Sequence, residues 1–520
     1  MRLTKTGLSI IYLLSFVFLI SGTIFFNGCQ NSKQNEGDAF KPTGDTIADG
    51  KKLVAIYCTK CHAEVPANAL SKDVWEFHTL PGMARYLRVS VYGTSFYKKP
   101  TDTGGISLTN LQIIQGYYHK VAPDSLPVAT PPAPLTNDWA GFTLRKPKEN
   151  KHTSFTTMVA VNQSTGKIYS SDVVMSKLFE WDKDLNVRSA AQLPSPGVNA
   201  NFTKDEKGTD VALISCIGEF APMDFPNGKV VSINLNDKTE ITIPKVLASE
   251  VYRPVQTVQG DFNKDGQTDL VICAQGNKSG GVYLMAQKAD HSYTQSTIIK
   301  KAGAVQARVG DFNNDGWPDL MVLFGTGDEG LWLFLNDQKG GFTSKNLLHF
   351  PPVYGSTSFQ LADMNHDGKL DLIYTCGYNF HDSRIFKPYH GLYIFTNQGD
   401  WNFKQSYFYP INGCTKAIAT DFDGDGDIDI ATTALFADLN HKPNEGFIYF
   451  EQDKAMSFKP HAVPVSQYGR WMAIDTISKP NGKPDIVLGN YATGLVIDPK
   501  LKPFWNMQLP LIVLENHNKK

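Results

Sequence analysis

Cys58-Thr59-Lys60-Cys61-His62 sets two thiols and an imidazole side by side in the chain. C-x-x-C-H is the spacing by which a c-type haem is attached. On a helix, positions i, i+3 and i+4 share a face. Both thiols can then form thioethers with the two haem vinyl groups, and His62 stands beneath the iron as proximal ligand. Half of a zinc site is the competing reading, but zinc needs two more ligands at matched spacing, and the sequence has no second C-x-x-C. A redox dithiol predicts a βαβ pattern nearby, and none is present.

The iron of such a group takes a sixth ligand. Met83, in Leu80-Pro81-Gly82-Met83, is the only methionine between Gly50 and Pro127. His78 and His119 are its rivals, and an open position is the third alternative. A His/Met pair raises the potential and favours electron transfer over chemistry at the iron.

A second constellation recurs at a spacing of close to fifty residues. The four copies supply Asp261, Asn263, Asp265, Gln267 and Asp269; then Asp311, Asn313, Asp315, Trp317 and Asp319; then Asp363, Asn365, Asp367, Lys369 and Asp371; then Asp421, Asp423, Asp425, Asp427 and Asp429. Positions 1, 3 and 5 carry side-chain oxygens, position 6 is glycine, position 7 offers its carbonyl and position 9 closes the set with Asp. That is calcium chemistry. It is not an EF-hand, which wants Glu at position 12, where this chain has Ile272, Val322, Tyr374 and Thr432. The expectation is about four Ca2+ sites. The alternative is a set of turn-rich surface loops without metal.

The chain that must position these groups has 520 residues and a formal net charge of −1, with 42% hydrophobic and 19% charged residues. This composition excludes a wholly disordered chain and gives no basic footprint for nucleic acid. Arg2 and Lys5 precede an apolar run from Leu8 to Phe26, which reads as an export signal. Residues 1–28 resemble a bacterial lipoprotein signal peptide, which implies lipidation of Cys29 and a membrane tether on an exported protein. An uncleaved membrane anchor is the alternative. Residues 29–49 are polar and read as a flexible tether.

In 50–127, Gly50 to Ile56 leads into the haem motif as a short helix, and Leu108 to Val121 has helical spacing, with Thr109 or Ser107 as cap. With C-x-x-C-H this unit resembles a class I cytochrome c, which implies a small all-α domain holding one covalent haem c. Residues 128–140 are a Pro-rich linker. From 141 to 516 each acidic loop leads into an apolar run such as LVICA or LMVLF, as a buried strand does. These segments resemble FG-GAP or VCBS repeats, which implies an all-β propeller. The fold class is therefore multidomain, a helical cytochrome c unit followed by a seven-bladed propeller with calcium loops.

Seven blades follow from the four repeats, degenerate copies at Thr203 to Asp210 and Asp475 to Asp485 where no calcium is expected, and a first blade over Thr153 to Ala200. The last blade lacks an outer strand. Gly141 to Lys146 resembles the outer strand that starts at Gly341 and is expected to supply it. Cys216, Cys273 and Cys376 recur after second strands and read as buried apolar residues. A Cys376–Cys414 disulfide is an alternative in an oxidising compartment.

The face opposite the metal loops carries long loops at Ile217 to Lys229, Gly377 to His390, Ala437 to Glu445 and Asn490 to Gln508. They hold Glu219, Phe220, Phe225, Tyr378, His381, Asp382, Arg384, His390, His441 and Trp505. Loops on a rigid scaffold are where binding resides, and decorative variation is the alternative. The leading reading is a membrane-tethered electron carrier whose propeller docks a redox partner or a small-molecule substrate. A second is an oxidoreductase acting on a sugar or alcohol at the propeller face. A third is an adhesion or glycan-binding module.

Overall fold

The computed structural model describes residues 40–84, 86–87, 105–205, 207–236, 242–379, 385–480, 482–495, 498 and 500–518. Residues 1–28, expected as a signal peptide, and Cys29 lie outside the described residues. Among the described residues no helix is long and apolar enough to cross a membrane.

The first helix runs Thr46–Tyr57, earlier than the Gly50 start expected. Asp45 caps it by accepting from the amides of Ile47 and Ala48. The buried Asp49 carboxylate accepts from the Thr43 amide, the Thr43 hydroxyl and the Gly44 amide. Residues 43–49, expected as tether, are thus folded, because their polar side chains bond the backbone instead of water. A second helix, Leu108–Val121, is capped by Ser107, which accepts from the Asn110 amide. The two cross at Gly50, where a Cβ would come within 2.2 Å of the Tyr117 Cβ. Between them a helical segment covers 72–84, with a π turn at Trp75–Thr79. Leu53, Leu70, Leu111 and Ile114 fill the core, and Trp75 stacks on Tyr118 at 3.8 Å.

Seven four-stranded antiparallel sheets make up the rest. In chain order, blades 1 to 6 span 156–192, 197–251, 254–299, 304–349, 356–410 and 414–462. Blade 7 is built from Trp471–Ile477, Asp485–Asn490 (β27), Leu511–Asn516 (β28) and the early strand Phe142–Arg145 (β1). The second strands of blades 3 to 6 are buried along their whole length, which is why they read as unbroken apolar runs.

β1 pairs antiparallel with β28, from Phe142 opposite Asn516 to Arg145 opposite Val513, so the ring closes through the strand expected from Gly141 to Lys146. Phe142 is buried and meets Tyr449 and Phe422 edge-on. Phe142→Ala leaves a cavity in the seam and is expected to cost about 3–5 kcal/mol. A urea midpoint equal to that of the parent protein would refute this. The linker 128–140 is not free either. Thr136 bridges His461, and the buried His461 imidazole meets the Asp138 carboxylate at 2.9 Å.

Cys216, Cys273, Cys376 and Cys414 are buried free thiols, so the Cys376–Cys414 disulfide is not formed. The Cys376 thiol donates instead to the Tyr389 carbonyl.

Candidate functional site

The haem motif begins where the first helix stops. Cys58 is the helix C-cap and donates its amide to the Val54 carbonyl. Residues 58–61 then form a turn, closed by the Cys61 amide on the Cys58 carbonyl at 3.4 Å, rather than a continuing helix. Cys58 is half-buried against the helical core, and Cys61 faces solvent. The His62 Nδ1 lies 2.7 Å from the Ala63 carbonyl. That bond makes Nδ1 the donor and leaves Nε2 as the basic nitrogen, the form a metal ligand needs.

The competing chemistries fare worse. Reactive dithiols have lowered thiol pKa values. Here burial, with Glu64 and Cys61 adding to it, pushes the Cys58 thiol up to about 11. The motif also sits at the negative end of the helix dipole, where a thiolate is disfavoured. Among the described residues, one group of three or more His, Cys, Asp or Glu brings ligand atoms within 4.8 Å of one another, and it is Asp421, Asp423 and Asp429. Cys58, Cys61 and His62 do not converge as zinc ligands do. Two thiols on one turn beside an imidazole with a free Nε2 are a donor set that fits covalent haem.

Met83 lies in the short helix Leu80–Ala84, half-buried and outside the apolar core cluster. His78 is exposed in the π turn, and His119 is exposed and meets Glu76 at 3.3 Å.

Each acidic loop joins the first strand of its blade to the second. In blades 3 to 5 the position-1 carboxylates of Asp261, Asp311 and Asp363 accept from the amides at positions 5 and 6. Asp421 likewise accepts from Gly426. The position-6 glycines adopt φ between +80° and +99°, which a side chain would strain. Asp269, Asp319, Asp371 and Asp429 are fully buried at position 9. Each accepts from the position-2 amide of its loop and from an amide at the end of the third strand. Burial raises all four carboxyls, Asp429 to about 7. Buried acids backed by further oxygens are a donor set that fits a hard cation. Adjacent loops also touch, with Lys264 over the Trp317 ring at 4.5 Å and His366 on Asp427 at 2.8 Å.

The opposite face holds the helical unit. The Tyr389 hydroxyl donates to the Ala69 carbonyl at 3.0 Å, and Val353, Ile385 and Tyr389 pack on the helical core. The long loop 377–390, expected to bind an outside partner, is thus engaged within the chain. His390 and Trp505, expected to be offered to a ligand, are buried, and Trp505 donates to the Ala492 carbonyl. His381, Asp382 and Arg384 lie outside the described residues.

Two functional candidates escaped the sequence reading. Arg253 and Arg470 each precede an innermost strand and are buried. Arg253 donates to the carbonyls of Glu219, Phe220 and Ala221; Arg470 donates to those of Leu435, Gly494 and Leu495. Isolated arginines in EVYRPVQ and QYGRWMA belong to no motif, and only their shared place before an inner strand could have flagged them. Arg470 lines a small cleft with Phe386, Phe436, Asp438 and Asp498.

The model of the FG-GAP-like repeat family matches residues 261–322 and 311–374. These are FG-GAP-like repeats. No curated protein matches the chain. Among solved structures, virginiamycin B lyase from Staphylococcus aureus is 11% identical with a TM-score of 0.44, covering 72% of this chain and 99% of its own. Sqt1 from Saccharomyces cerevisiae is 11% identical with a TM-score of 0.41, covering 69% of this chain and 97% of its own.

Proposed function

We propose that this protein is an exported electron carrier, tethered through a lipid on Cys29, with one haem c held by Cys58, Cys61 and His62 and Met83 as the sixth ligand. The observation that carries this is the turn after Tyr57, where two thiols stand beside an imidazole whose Nδ1–H is held by Ala63. Bound there, haem supplies a one-electron couple. The chain would orient it: Ala63 fixes the His62 tautomer, and Cys58, packed against the helical core, would hold it by a thioether. Four calcium ions stiffen the propeller loops at Asp261–Asp269, Asp311–Asp319, Asp363–Asp371 and Asp421–Asp429, and the long-loop face beside the helical unit docks the redox partner.

A second reading makes the same face a catalytic site for a small molecule. One observation favours it: the 385–390 segment puts Ile385 and Tyr389 on the helical unit while Phe386 lines the cleft beside Arg470.

Visible spectroscopy of the purified holoprotein separates the two. Dithionite is expected to give a low-spin c-type spectrum, while sugars and alcohols without added reductant leave the haem oxidised. Reduction by one of them would hand the function to the catalytic reading, and a protein with no covalent haem would sink both. Met83→Ala is expected to remove the sulfur-to-iron band at the red end of the ferric spectrum. A band that persists excludes Met83 as ligand.

A further inference from the structure

We propose that Lys204 and Lys479 are built-in cations that stand in for the metal ion in the loops of blades 2 and 7. The proposal rests on the calcium reading of blades 3 to 6.

Six of the seven blades begin their second strand with aspartate, namely Asp210, Asp269, Asp319, Asp371, Asp429 and Asp485. In blades 3 to 6 this is position 9 of the loop. Asp485 also keeps the backbone bond of the acidic loops, accepting from the Asn516 amide at the end of the third strand at 2.7 Å. What changes is the loop before it. Eight residues separate the paired strand ends in blades 3 to 6, as between Gly260 and Asp269, whereas blade 2 has five between Lys204 and Asp210, blade 7 has seven between Ile477 and Asp485, and each shorter loop brings a lysine to the acid.

Both lysines reach the aspartate that opens the second strand. The Lys204 ammonium lies 2.7 Å from the carboxylate of Asp210, its cross-strand neighbour, and 3.4 Å from the Gly208 carbonyl. The Lys479 ammonium lies 2.8 Å from the Asp485 carboxylate and 3.0 Å from the Asn516 carbonyl. An ammonium offers three donors, enough to satisfy a carboxylate and a carbonyl together. Blade 1 has no acid to neutralise, since Lys167 itself opens the second strand and pairs with Glu180.

The ring therefore divides into two arcs. Blades 7, 1 and 2, which include the β1–β28 seam, supply their own positive charge. Blades 3 to 6 draw theirs from solution.

Hydrogen exchange of the full-length holoprotein, read by mass spectrometry with calcium or with EGTA, tests this. Chelation is expected to lower protection about tenfold in 261–269, 311–319, 363–371 and 421–429 and to leave 202–210 and 477–485 unchanged. Lys479→Met is expected to lose protection in 477–485 whether or not calcium is present, and Lys204→Met, at a more exposed pair, does the same in 202–210. Loss of protection in 477–485 on chelation of the parent protein would overturn the proposal. So would calcium restoring that loop in Lys479→Met. Unchanged protection in all four acidic loops would instead remove the calcium reading, and this proposal with it.

Discussion

Holding the holoprotein in EGTA should lower its unfolding midpoint more than any single substitution, while the haem spectrum stays as it was. A ligand at a hundredfold its dissociation constant stabilises the native state by about 2.7 kcal/mol, so the four proposed calcium sites would sum to about 11 kcal/mol. The loops show why removal costs so much. Asp421, Asp423, Asp425, Asp427 and Asp429 crowd five carboxylates into nine residues, and Asp429 is buried at the base of the loop. Without a cation those charges repel, and the buried acid must hold a proton or pay for desolvation. Calorimetry with and without chelator checks this, and equal midpoints would contradict it. A spectrum that changes together with the midpoint would place the metal in the helical unit instead.

The second large effect is one of pH. Glu329 is buried under blade 5, where it accepts from the Ser356 amide, the Ser356 hydroxyl and the Gly355 amide. Burial nonetheless pushes its carboxyl up to about 7, and the neighbouring Lys387 is pushed down to about 8 for the same reason. A carboxyl whose folded pKa lies above its unfolded one holds a proton that the unfolded chain releases. Its contribution to stability is therefore full below pH 4.5, declines as pH rises to about 7, and is flat beyond. A shift of this size corresponds to about 3 kcal/mol across that window. Lys387 acts in a different window, its contribution falling as pH drops from 10.5 to 8. Subtracting the denaturation profile of Glu329→Gln from that of the parent isolates the acid. The difference should fall by about 3 kcal/mol between pH 4.5 and 7.5, and a flat difference would show that Glu329 is already ionised in the fold.

Local spacing carried most of this architecture into the sequence. The Asp and Gly positions of the four loops, each followed by an apolar run, mark the first two strands of blades 3 to 6. The likeness of Gly141-Phe142-Thr143 to Gly341-Phe342-Thr343 marks the closing strand. What stayed hidden depends on partners far along the chain or on side chains with two uses. Asp45 and Asp49 look like tether residues until they are seen bonding backbone amides. The haem motif looks helical by spacing, yet the helix ends at Cys58 and the motif turns away from it. Ile385 and Tyr389 lie in a loop long enough to bind a stranger, and only the folded chain shows that the helical unit is already there. Lys204 and Lys479 looked like a failure of the metal pattern, because an ammonium and a metal ion share no letter in a motif.

The seam between β1 and β28 also sets an order of events. β1 follows the linker, while its partner Leu511–Asn516 lies far along the chain and is made much later. Until that segment emerges, Phe142–Arg145 has nothing to pair with, and the edge of Asp485–Asn490 that Leu511–Asn516 covers stays bare. Such edges invite pairing with other chains. A chain cut short before residue 511 is thus inclined to aggregate rather than to work as a smaller propeller.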